Sequence, residues 1–203
     1  MNCMHIDSII FDFGGVLGAD ANSWTDDNEI SVLTGLLPAE IDQIFFLHWD
    51  KLKVGKEDLQ EFFKEIQTRS HTPVSIEQLR EAYHKKITIN PDVLNLVKNL
   101  AKNYKLFILA NESREGMAVK VKKFNLTKYF LKIFSSAELG LAKPDPELFR
   151  MVLATIPSSP AKVLFIDDQQ KNVAAAKALG ITSFVFENVD KLTSDLSEVL
   201  QYV

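Results

Sequence analysis

Apolar positions along the chain fall into three textures. Residues 8–12, Ser-Ile-Ile-Phe-Asp, form a short continuous apolar run that ends on an acid and leads into Gly14-Gly15. That is the pattern of a buried strand entering a tight loop. From about Ala19 to Thr88 the apolar residues recur only at helical spacing. Pro38 fits a first helical position, with Ile41, Ile44, Phe45 and His48 on one face. Residues 56–68 place Leu59, Phe62, Phe63 and Ile66 on another face. Ser75 with Gln78 forms a capping box that opens a helix carrying Leu79, Tyr83 and Ile87. From Asn90 onward strands and helices alternate. Asn90-Pro91 starts a helix reaching about Asn103. Strand Lys105–Leu109, helix 113–124, strand Lys132–Ser135 and helix Pro146–Thr155 follow. Strand Val163–Ile166, helix Asn172–Leu179, strand Ser183–Phe186 and helix Lys191–Leu200 complete the chain.

Such alternation predicts an α/β protein whose strands pair in parallel, with helices on both faces of the sheet. The predicted organisation is a parallel-sheet core from residues 1–18 and 90–203, interrupted by an all-helical segment at 19–89. The length of 203 residues suits one core with a modest insertion. Apolar residues make up 46% and charged residues 25%, which excludes a disordered or collagen-like chain. With Lys+Arg 23 against Asp+Glu 27, the net charge is −4, and a nucleic-acid partner is not expected. Cys3 is the only cysteine, so neither an internal disulfide nor a thiolate metal site is available. No basic leader precedes a long apolar stretch, and no apolar run is long enough to span a bilayer, so a cytoplasmic protein without a membrane partner is expected. The four histidines lack HExxH spacing, and neither GxxxxGK[ST] nor GxGxxG occurs.

In a parallel sheet the ligand site lies beyond the carboxyl ends of the strands, so the residues at those ends matter most. The first strand ends in Asp12-Phe13-Gly14-Gly15-Val16 and the second in Ala110-Asn111-Glu112-Ser113. Gly140-Leu141-Ala142-Lys143-Pro144 follows the third, and Asp167-Asp168 closes the fourth. Three carboxylates, a lysine and an amide thus converge on one crevice. Clustered carboxylates repel unless a cation sits among them. Oxygen ligands without cysteine or histidine favour Mg²⁺. Lysine supplies a point charge for phosphate, and an aspartate facing a phosphoryl group can attack it.

These motifs resemble those of the haloacid dehalogenase-like hydrolases, in the subclass whose helical cap is inserted between the first and second motifs. Phe11–Val16 is similar to hhFDxxGV, Leu139–Phe149 to LGxxKPDPxxF, and Phe165–Gly180 to hxDDxxxNVxxAxxxG. The resemblance implies a Rossmann-like parallel-sheet core with a helical cap. It implies Asp12 as nucleophile and metal ligand, the backbone carbonyl of Gly14 and the acids Asp168 and Asp167 at a Mg²⁺ ion, and Lys143 as the catalytic phosphate-binding lysine. Asn111 and Gly15 fall at substrate-contacting positions. The implied function is a Mg²⁺-dependent phosphatase of a small phosphorylated metabolite, a sugar phosphate among the candidates, working through an aspartyl-phosphate as a monomer or weak homodimer.

Two positions depart from the pattern. Gly14 stands where the family carries a second aspartate that acts as general acid and base, worth about 10²–10⁴ in rate. Ala110 stands where the family carries a phosphate-binding hydroxyl. These departures motivate a second reading, a catalytically impaired binding or regulatory module. A third, a 2-haloacid dehalogenase, is disfavoured because no arginine occurs between Asp12 and Arg69 and because the Asp167-Asp168 pair suits a metal. Elsewhere the expectations are plainer. Trp24, Phe45, Phe46, His48, Trp49, Phe62 and Phe63 are read mostly as helical core, with one or two facing the crevice. Asp26-Asp27, Lys51–Lys56, and the cluster of Lys120, Lys122 and Lys123 are read as solvated surface.

Overall fold

The computed structural model describes residues 5–19 and 28–202. Cys3, Trp24 and the Asp26-Asp27 pair lie outside the described residues. In chain order the elements are β1 (Ser8–Phe11), α1 (Asn28–Thr34), α2 (Pro38–Leu52), α3 (Leu59–Arg69), α4 (Ile76–Lys86) and α5 (Pro91–Leu100). Then come β2 (Lys105–Ala110), α6 (Arg114–Phe124), β3 (Lys132–Ser135), α7 (Ser136–Leu139) and α8 (Pro146–Leu153). The chain closes with β4 (Val163–Asp167), α9 (Gln170–Lys177), β5 (Thr182–Val185) and α10 (Val189–Val199). No helix among the described residues is long and apolar enough to cross a membrane.

The five strands form one parallel sheet in the order β3-β2-β1-β4-β5. The strands read as unbroken apolar runs because both faces are covered. Ile9 and Phe11 of β1 enter one core with Val97 of α5, Met117 of α6 and Leu196 of α10. Ile10 points the other way, into a second core with Phe149 of α8 and Ala176 of α9. This is the two-residue alternation of a pleated strand.

Helices α1 to α4 build a separate core in which Ile41, Phe45, Phe62, Phe63, Leu79 and Tyr83 are buried. The capping box at Ser75 and Gln78 forms as the sequence predicts, opening α4. Asn90 caps α5 by accepting from the N–H groups of Asp92 and Val93 at 3.0 and 3.3 Å. Most differences from the predicted elements are at their ends. Helix α5 stops at Leu100 rather than about Asn103, and α9 starts at Gln170 rather than Asn172. The short helix α7 carries no periodic apolar signal and was not expected. Phe46, placed with the core aromatics, is 56% exposed, because it falls on the outer side of α2 between buried Ile44-Phe45 and the next turn.

In chain order the sheet grows from β1 outward through β2 to β3, then returns to the other side of β1 for β4 and β5. This reversal opens a crevice beyond the carboxyl ends of β1 and β4. Phe11 pairs with Ile166, and the N–H of Asp12 donates to the carbonyl of Ile166 at 2.8 Å. The acids that end these two neighbouring strands are therefore brought together by the sheet register itself.

Candidate active site

Asp12 leaves β1 nearly buried, with its Oδ1 accepting the N–H of Phe13 at 2.6 Å. Lys143 reaches in from the loop before α8 and is also buried. Its Nζ lies 2.8 Å from Asp12 Oδ2 and 2.6 Å from Asp167 Oδ2. Asp167 is fully buried at the end of β4, and its Oδ1 accepts from the N–H of Gln169 at 2.8 Å and from Asn172 Nδ2 at 2.9 Å. Oxygens of Asp12, Asp167 and Asp168 all lie within 4.8 Å of one another.

Burial pushes the Asp12 carboxyl up from its usual 3.8 to about 7; the Lys143 charge pulls against this and the Asp167 charge adds to it. Burial works against the Lys143 ammonium, yet Asp12 and Asp167 together outweigh it and hold Lys143 above the ordinary lysine range.

Asn111 follows β2 and clamps the lysine loop. Its Oδ1 accepts the Lys143 N–H at 2.8 Å and its Nδ2 donates to the Lys143 carbonyl at 2.9 Å. Its carbonyl is thus committed to positioning Lys143. Gly14 forms an isolated parallel bridge with Gly18, and the N–H of Gly15 donates to the Gly18 carbonyl at 2.9 Å. Gly15, at φ +71°, has a second constraint. A Cβ there would stand 2.5 Å from Asp168 Oδ2. Gly15→Ala is therefore expected to lower stability by at least about 1–2 kcal/mol, the cost of a left-handed L-residue alone, measurable by urea unfolding. The position before α9 is Gln169.

Asp12, Gly14, Asn111 and Lys143 line a cavity of about 240 Å³ that also meets Trp49 and Lys53 from the helical segment. A larger groove of about 650 Å³ lies at the opposite end of the sheet, between His5–Asp7, Asn103–Lys105 and residues 197–202, away from the strand ends.

Two surface assignments need correction. Lys53 is only a quarter exposed and faces the cavity, because the chain turns toward the sheet where α2 ends. Lys120 is 4% exposed and ion-paired with Glu112, which is 1% exposed. The signal for Lys120 was present in the sequence, since it follows Met117 by three residues and so shares the buried stripe of α6. Glu112 stood in the strand-end segment without a role.

The parallel sheet, the helical insertion and the carboxylate–lysine cluster define a class. The family model of the haloacid dehalogenase-like hydrolases matches residues 9–186, and the chain belongs to that family. It is 26% identical to the D-ribitol-5-phosphate phosphatase of Bacteroides thetaiotaomicron over 96% of this chain and 98% of that protein. It is 27% identical to the phosphorylated carbohydrates phosphatase of Thermotoga maritima, over 62% of this chain and 55% of that one. A haloacid dehalogenase family enzyme from Bacteroides thetaiotaomicron, solved with magnesium and inorganic phosphate, superposes with a TM-score of 0.73 at 25% identity, over 90% of this chain and 94% of that one.

Proposed function

We propose that this hydrolase is a Mg²⁺-dependent phosphatase of a small phosphorylated metabolite, with Asp12 as nucleophile. The observation that carries the reading is the convergence of Asp12, Asp167 and Asp168, at the ends of adjacent strands, with Lys143 from the loop before α8. Two phosphatase relatives and one family enzyme solved with magnesium and inorganic phosphate support it.

The donor set fits magnesium, because the three clustered acids offer only hard oxygens. Asp12, Asp168 and the Gly14 carbonyl would hold the ion, with Asp167 supporting them through Lys143. When bound, the ion offsets negative charge on the phosphoryl oxygens. An oxygen of Asp12 attacks phosphorus in line, the P–O ester bond breaks, and an aspartyl-phosphate forms on Asp12 while the departing alkoxide takes a proton from water. The Lys143 ammonium stabilises charge as it builds on the phosphoryl group, while Asn111 keeps that lysine loop in place. Water then hydrolyses the acyl phosphate, releasing phosphate and restoring Asp12. Residues 19–89 would serve as the cap over this crevice.

Gly14 and Ala110 keep the second reading, a phosphate-ligand binding module, distinct. A steady-state assay separates the two, using an aryl phosphate and a panel of sugar phosphates with and without Mg²⁺. Mg²⁺-dependent turnover supports the phosphatase. Silence on every ester, from folded protein that still binds Mg²⁺, establishes the binding module instead. At about 100 times its dissociation constant, Mg²⁺ is expected to stabilise the fold by about 2.7 kcal/mol. Asp168→Asn should remove most of that gain in thermal unfolding.

A further inference from the structure

Behind the nucleophile lies a second buried charged group that the scheme above does not use. Glu112 leaves β2 and pairs with Lys120 of α6, with both side chains almost fully enclosed. Glu112 Oε1 accepts from the N–H of Ser113 at 2.8 Å and from Ser113 Oγ at 3.1 Å. Lys120 Nζ sits 4.4 Å above the centre of the Phe13 ring, the residue next to Asp12. Tyr83, from the helical segment, hydrogen-bonds with Ser113 and Glu112, and burial followed by the Glu112 charge holds its phenol well above the ordinary range. Gly116 makes room for this cluster, since a Cβ there would lie 2.4 Å from Glu112 Oε1 and 2.6 Å from the Tyr83 hydroxyl.

The pair is more than packing, because Glu112 and Lys120 both line the same cavity of about 240 Å³ as Asp12 and Lys143. An ammonium carries three donors. Among the described residues, Glu112 is its one hydrogen-bond acceptor, and the Phe13 ring covers another side. Donor capacity is therefore left over on a buried cation at the cavity wall, beside a carboxylate that can accept. An adjacent charged donor and acceptor suit a substrate hydroxyl, which needs one of each. The cavity also falls below the roughly 300–1,000 Å³ of sites for drug-sized ligands, which favours a short carbon chain over a nucleotide.

We infer that Glu112 and Lys120 form a hydroxyl-reading subsite, so that the preferred substrate is the phosphate ester of a short polyhydroxylated carbon chain. This inference rests on the phosphatase reading. The experiment compares kcat/KM of the wild type for sugar and alditol phosphates, their singly deoxygenated analogues, and an aryl phosphate. One deoxy analogue is expected to lose about 10- to 100-fold, the discrimination typical of a hydrogen bond to a charged group. Lys120→Met should compress the ratio of polyol to aryl phosphate by a similar factor and erase the deoxy penalty, while Lys120→Arg should restore part of it. Because a lone charge left behind could unfold the protein, Glu112→Gln with Lys120→Met removes both together and is expected to give the same compression. An active wild type that tolerates every deoxy analogue, or a ratio unchanged in the variants, overturns the subsite alone. A wild type inactive on the aryl phosphate as well overturns the phosphatase reading and this inference with it.

Discussion

Asp12→Asn is expected to lower phosphate-ester hydrolysis by at least about 10³-fold, the scale of loss when a covalent nucleophile is removed. The change is nearly isosteric. The Asn side-chain oxygen can still accept the Phe13 N–H that Asp12 Oδ1 takes at 2.6 Å. Its Nδ2 then faces Lys143 Nζ, where Asp12 Oδ2 pairs at 2.8 Å, so the unfolding midpoint is measured beside the activity to separate lost chemistry from a loosened site. Stability should move differently. Asp12 titrates near 7 in the folded chain against 3.8 ordinarily, chiefly because it is buried. A carboxyl with a raised folded pKa favours folding while protonated. That contribution is complete below about 3.8 and disappears as pH rises through about 7. With a chelator present, wild-type stability should fall across this window relative to Asp12→Asn. Denaturant midpoints at several pH values would show it, and parallel curves would refute the burial argument.

Lys143→Met is expected to cost about 3–5 kcal/mol in urea unfolding without added metal, the range for breaking a buried ion pair from one side. One ammonium serves both Asp12 and Asp167, at 2.8 and 2.6 Å, and neither acid can turn to solvent. Removing it leaves two buried carboxylates facing each other. They should respond by binding protons, so the variant should regain stability on acidification. Adding Asp167→Asn should recover part of the loss, less than additively, because the two positions share one network. Lys143→Arg should not restore the site, since a planar fork cannot replace a point charge set between two acids.

Much of this arrangement was legible in the chain. The apolar runs ending in Asp12 and Asp167 located both the central strands and the acids, because a strand buried on both faces leaves its first polar residue at the mouth of the sheet. Caps at Asn90 and Ser75 were readable because they use local chemistry. What escaped depended on tertiary context. Lys120 carries a charge, and a charge on a helix ordinarily faces water. Glu112, Phe13 and the space above Gly116 make its burial tolerable, and Phe13 comes from a distant stretch of chain. Asn111, expected at the substrate, lines the cavity, and its amide also holds the Lys143 backbone across a long sequence separation. Gly15 was placed with the substrate, and only the packed Asp168 carboxylate reveals why no side chain fits there.

The strand order has a kinetic side. Residues 8–11 pair with 105–108 on one flank and with 163–166 on the other. A ribosome adding about 5–20 residues per second therefore holds Ser-Ile-Ile-Phe without its second neighbour for roughly eight to thirty seconds. The helices of residues 28–86 emerge and can collapse on one another well before that. The nascent chain can thus carry a collapsed helical segment while that strand is still unpaired. Its exposure to aggregation is set less by final stability than by how soon the segment at 163 arrives.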